Sequence, residues 1–124
     1  MDDAPIIRVK SKAFAIRVVR MAQYLQEERH EFVISRQVLK SGTSIGANIR
    51  ESRNAQSTAD FISKLEIALK ESDETEYWLE ILYETNYISK DIFDSMIADN
   101  KELTAMLTSI IKTCKENNTK KNKQ

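Results

Sequence analysis

Apolar residues recur at three- and four-residue spacing along most of the chain, the period of amphipathic helices rather than the alternation of strands. A first helix is predicted from about Val9 to Glu28, with Phe14, Val18, Met21 and Leu25 on one face, and the charged stretch Gln26 to Glu31 ends it. Ser35 is the expected N-cap of a second helix, with Ile34 and Leu39 spaced to form a hydrophobic staple across it. That helix continues to about Arg53. After the polar break Asn54 to Ser57, the pair Ser57 and Asp60 forms a capping-box-like start to a third helix, which reaches Thr85 over roughly 40 Å. Asn86 tolerates the left-handed conformation that ends helices and is the expected stop. Ser89 then caps a fourth helix, whose stripe Met96, Leu103, Leu107, Ile110 and Cys114 extends to about Glu116.

Short connections make each helix antiparallel to its neighbour in sequence, so the expected fold is an all-α, up-down-up-down antiparallel four-helix bundle. The bundle occupies residues 9–116 as one domain, with residues 1–8 as an N-terminal extension and the polar, lysine-rich residues 117–124 as a disordered tail.

Both glycines of the chain fall inside the second helix, where glycine costs about 1 kcal/mol relative to alanine. Val38, Gly42, Ile45 and Ile49 share one face, which predicts close packing against another helix at Gly42 and Gly46. Beside that face Ser44, Asn48 and Glu51 form a polar seam, and Asn48 and Glu51 are spaced to hydrogen-bond each other or a facing helix. Glu76, at the edge of the third helix's stripe of Phe61, Leu65, Leu69, Leu79 and Tyr83, is expected to tether to this seam or to a basic residue, because a buried acid needs partners.

The segment from Ser41 to Ser57 and the run from Phe61 to Glu80 closely resemble the four-helix-bundle proteins named for open reading frames in bacterial 23S rRNA intervening sequences. The likeness covers residues 10 to 115 and is specific for fold. It implies a homopentamer and assigns no reaction; Asn48, Glu51 and Glu76 match its signature positions. A more distant likeness is to the accessory protein of diversity-generating retroelements, a pentameric bundle that works with a reverse transcriptase and RNA.

Nineteen basic and nineteen acidic residues cancel, so any nucleic-acid surface has to be local. Cys114 stands alone, which excludes an intrachain disulfide and makes a reducing cytoplasm the expected location. No apolar run approaches the roughly 20 residues that span a bilayer, and the N-terminus has no signal-peptide pattern, so no membrane partner is expected. Glu27 and His30 give the Glu-x-x-His spacing of a di-metal bundle once only, and in a loop; His30 reads as a solvated loop residue, and neither metal nor other cofactor is expected. The same lone histidine is eighty-four positions from Cys114 and supplies no acid-base pair, so the chain reads as non-enzymatic. The glycines lack the spacing of a phosphate loop.

Two features remain. Val9, Ala13 and Ile16 on the first helix and Ile67, Trp78 and Ile81 on the third point away from the core stripes, which predicts self-association through Val9, Ile16, Ile67, Trp78 and Ile81. Basic residues cluster as Arg8, Lys10, Lys12, Arg17 and Arg20 on the first helix and its approach, and as Arg36, Lys40, Arg50 and Arg53 on the second. A symmetric oligomer repeats each such patch, and multivalency turns weak phosphate contacts into avidity. The expected function is therefore an oligomeric, non-catalytic binding or scaffolding protein for RNA or a ribonucleoprotein. The alternative is a protein-binding adaptor, for instance an accessory subunit of a reverse transcriptase.

Overall fold

The computed structural model describes residues 4–122 and contains four helices: α1 (Ala4–Glu27), α2 (Ile34–Ser52), α3 (Thr58–Glu84) and α4 (Lys90–Asn122), with no strand among the described residues. Cross-helix pairs run in opposite sequence order at every interface. Ser11 lies against Gly46 and Val18 against Gly42. Likewise Thr75 meets Ser41 and Lys64 meets Glu51, while Asn100 meets Ser72 and Lys115 meets Glu66. Lys10 with Glu102 and Arg17 with Asp99 close the bundle between α1 and α4. These pairs give the up-down-up-down order, in which α1 packs closely on α2, only lightly on α4, and lies diagonally across the core from α3.

The core holds Phe14, Val18 and Leu25 from α1, Val38, Ile45 and Ile49 from α2, Leu65, Leu79 and Leu82 from α3, and Met96, Leu103 and Leu107 from α4. On α3 the buried line runs through Leu65, Ala68, Ser72, Thr75 and Leu79, while Phe61, Leu69 and Tyr83 are half-buried beside it. Ile111 is buried on α4, and Ile110 and Cys114 flank the core rather than enter it.

Helix ends show which local signals hold. Ser57 Oγ accepts from Asp60 N at 3.0 Å, and Asp60 reaches back to Gln56 N at 3.2 Å. Ser89 Oγ accepts from Ile92 N, and Asn86 adopts φ 67° after α3. Ser35 does not cap α2. The helix begins at Ile34, two residues before the start that a Ser35 cap would give, and Ser35 is buried inside its first turn, donating its hydroxyl to Glu31 O. The cap comes instead from the Glu31 carboxylate, which accepts from the backbone N–H groups of Val33, Ile34 and Ser35 at 3.1, 3.0 and 2.7 Å. With Ile34 inside the helix, the staple across Ser35 is lost as well.

Two boundaries also move. α1 starts at Ala4, inside the stretch expected as an extension, because proline in a first turn lacks only an N–H that has no helical partner anyway. α4 runs to Asn122, where no Gly or Pro interrupts it and Lys120 suits the negative end of the helix dipole. Residues 1–3 and 123–124 of the expected extension and tail lie outside the described residues. No described helix is long and apolar enough to cross a membrane.

Gly42 and Gly46 bring α1 and α2 together. A Cβ on Gly42 would stand 2.8 Å from both Val18 methyls, inside a fully buried contact, whereas one on Gly46 would stand 3.3 Å from Ser11 Oγ and 3.4 Å from its carbonyl oxygen. Gly42 is thus the tighter position. Alanine there gains about 1 kcal/mol of helix propensity but overpacks a stiff β-branched neighbour at about 1 to 3 kcal/mol. Gly42→Ala is expected to lower the urea midpoint, and adding Val18→Ala to recover part of the loss; equal midpoints for Gly42→Ala and wild type would show that the helices can separate freely.

Candidate nucleic-acid interface

Where α1 crosses α2, the missing side chain at Gly46 leaves a groove of about 260 Å³, lined by Arg8, Ser11, Lys12, Ala15, Thr43, Gly46, Ala47 and Arg50. Helix geometry explains the lining. Arg8, Lys12 and Ala15 project from the α2-facing side of α1, and Thr43, Ala47 and Arg50 follow the Gly46 turn on α2. Three cations thus border a groove whose lining contains no carboxylate. Among the described residues none of the three makes an ion pair or side-chain hydrogen bond, so their donors face solvent. The lining thus carries positive side chains and no negative one despite the zero net charge of the chain, which suits phosphate oxygens.

The other basic residues are dispersed. Lys10 pairs with Glu102 at 3.0 Å, and Arg17 binds Asp99 and Ser95, so both serve the α1–α4 seam. Arg36 is exposed on α2 several turns from the groove. Lys40 lies near Glu71, and Arg53 is the exposed C-cap residue of α2. Only Arg8, Lys12 and Arg50 of the eight expected residues share one concave surface.

The expected polar seam does not cross between helices as a unit. Ser44 donates to Lys40 O and Asn48 to Ser44 O within α2. Glu51 accepts from Lys64 at 3.0 Å rather than from Asn48, and its hydrogen bond and charge raise the lysine pKa. Glu76 is half-buried and makes no hydrogen bond to Asn48 or Glu51. Its register is the reason. One turn earlier Ser72 bonds to Asn100 on α4, which turns Glu76 toward α4, while Thr75 is the residue that faces α2.

The buried polar contacts are others. Ser72 donates to Asn100 Oδ1 at 3.1 Å and lies 2.7 Å from Thr104 Oγ1, Asn100 Nδ2 donates to Ser72 O at 2.9 Å, and Thr75 Oγ1 is 2.9 Å from Ser41 Oγ. No buried side-chain nitrogen or oxygen among the described residues lacks a partner. Asn100 sits between Met96 and Leu103 on the core stripe of α4, a polar residue at an apolar position that could have announced it.

Of the expected association residues, Val9 and Ile16 are 66% and 46% exposed and Ile67 is 39% exposed. Trp78 does not point away. It is half-buried against the core, edge-on to Tyr77, and its Nε1 donates to Glu74; Ile81 is also half-buried, and Tyr77 takes the exposed place.

His30 is an exposed loop residue with φ 54°, at the opposite end of the bundle from half-buried Cys114. No group of three or more His, Cys, Asp or Glu residues among the described residues is placed to hold a metal ion.

The family profile described as "23S rRNA-intervening sequence protein" matches residues 6–109. A crystal structure of a protein with unknown function from the S23 ribosomal protein family of Bacteroides thetaiotaomicron VPI-5482 is similar to the chain with a TM-score of 0.88 and 52% sequence identity, over 90% of this chain and 99% of that one. No curated protein matches at a significant level.

Proposed function

Since the chain belongs to the 23S rRNA-intervening sequence protein family, we propose that it is a non-catalytic, self-associating binding protein whose α1–α2 groove takes the phosphate backbone of RNA, alone or within a ribonucleoprotein. The observation that carries this reading is the groove itself: Arg8, Lys12 and Arg50 border it, no carboxylate lines it, and their heads are unpaired among the described residues. Phosphate contacts position a ligand without reading its bases, so the site favours RNA by charge rather than by sequence. An oligomer, expected as a pentamer and in a bacterial cytoplasm, repeats the groove once per copy and multiplies its effect. Exposed Phe32 and Val33 in the α1–α2 connection favour a second reading, docking of a protein such as a reverse transcriptase without direct RNA contact.

The test is fluorescence anisotropy with RNAs of different sequence across a salt series. The triple variant Arg8→Gln, Lys12→Gln, Arg50→Gln is expected to weaken binding to all of them by similar factors. It should also flatten the slope of log K against log salt by about 2, because each of the three side chains neutralises one phosphate of a single strand. Ala47→Leu, an exposed position on the groove wall that fills the groove without removing charge, is expected to weaken binding with little change in helicity. Wild-type chain that binds no RNA at low salt would give the adaptor reading first place. A triple variant that binds like wild type would remove the groove from the proposal.

A further inference from the structure

The charges that cancel over the whole chain are separated in space. α1 and α2 together carry eight basic and two acidic residues, a net +6, whereas α3 carries two basic and eight acidic, a net −6. Since α1 and α3 lie diagonally across the bundle, their outer faces look to opposite sides of it. Each outer face also carries apolar side chains that the fold leaves in solvent. On α1, Val9, Ile16 and Arg20 follow one another at helical spacing opposite the core, with Val9 66% exposed. On α3 the corresponding positions are Ile67, Glu74 and Tyr77, the last 54% exposed.

We propose that copies of this chain dock head to tail, the outer face of α1 on one copy seating on the outer face of α3 on the next. The proposal rests on the self-association put forward above and adds which two faces meet. Two like faces cannot form this contact well. An α1–α1 pairing would bring two basic helices together and an α3–α3 pairing two acidic ones, and like charges across an interface oppose association. The unlike pairing, with Ile16 of one copy on Ile67 of the next and the two helices parallel, sets Arg20 among Glu71 and Glu74, because Arg20 and Glu71 each follow by four residues. Glu71 already bears a cost in the single chain: burial first, and then the Glu74 carboxylate, push its carboxyl above the usual carboxylate range against the pull of Lys40 and Lys70. An arginine from another copy relieves that cost. A contact between two different faces leaves the pair with one free face of each kind, so association continues until a ring closes.

Two full-length variants test it, each altering only exposed residues so that the bundle persists, as far-ultraviolet circular dichroism checks. One carries Val9→Glu and Arg20→Glu on α1, the other Ile67→Asp and Tyr77→Asp on α3, so that both altered faces are acidic and cannot pair with each other. By light scattering at micromolar concentration each variant alone is expected to be a 14.3 kDa monomer. Their equimolar mixture is expected to give a species of twice that mass and no larger, because the intact α1 face of one can seat on the intact α3 face of the other and nothing remains to extend the pair. A mixture that stays monomeric, or either variant alone keeping the wild-type mass, overturns the face assignment while leaving self-association in place. A wild-type chain that is itself monomeric overturns self-association, and the assignment with it.

Discussion

Asn100→Ala is expected to lower the unfolding free energy by about 3 kcal/mol, the largest loss of any single polar substitution in the bundle. Asn100 is fully buried, its amide nitrogen donates to Ser72 O, its amide oxygen accepts from Ser72 Oγ, and the cluster closes through Thr104. Alanine removes two net hydrogen bonds, leaves a cavity of amide size, and strands part of the Ser72 and Thr104 bonding capacity away from water. Urea unfolding at one fixed protein concentration measures the loss, since self-association makes apparent stability concentration-dependent. The melting temperature should fall by on the order of 10 °C. The triple variant Ser72→Ala, Asn100→Leu, Thr104→Val should recover most of the stability, because removing every partner together leaves nothing unsatisfied. Recovery would show that the cluster sets the register of α3 on α4 more than it stabilises the pair. A wild-type midpoint for Asn100→Ala would show that water enters and replaces the amide.

Glu31→Ala is expected to cost about 2 kcal/mol. One carboxylate satisfies three backbone N–H groups at the start of α2 and places a negative charge at the positive end of the helix dipole. Glu31→Gln keeps an acceptor oxygen but not the charge, and should fall between the two. Chemical denaturation of the three proteins orders them as wild type, glutamine, alanine. Amide hydrogen exchange should quicken first at Ile34 and Ser35, since their partner is removed. If alanine and glutamine match wild type, the loop between α1 and α2 holds the helix start without its cap.

The chain by itself determined the elements that local physics decides. Apolar spacing marked four helices, and Ser57 with Asp60, Asn86 and Ser89 marked helix ends, because capping needs only residues within a turn of one another. The two glycines inside α2 announced a close approach without saying to what. It took the packed bundle to put Val18 against Gly42 and Ser11 against Gly46, and so to open a groove between Arg8, Lys12 and Arg50. Eight basic residues look alike along the sequence, and only the neighbouring helix separates those neutralised by Asp99 and Glu102 from those left facing solvent. The same holds for the polar residues. Asn48, Glu51 and Glu76 sit at spacings that allow a shared seam, but the rotation of α3 about its own axis turned Thr75 toward α2 and Glu76 toward α4. That rotation is set by the sum of all core contacts, and a small change in it exchanges one facing residue for the next; no single stretch of sequence contains it. Trp78 shows the same limit, since a wheel drawn on one helix cannot tell that a neighbour covers half of its ring.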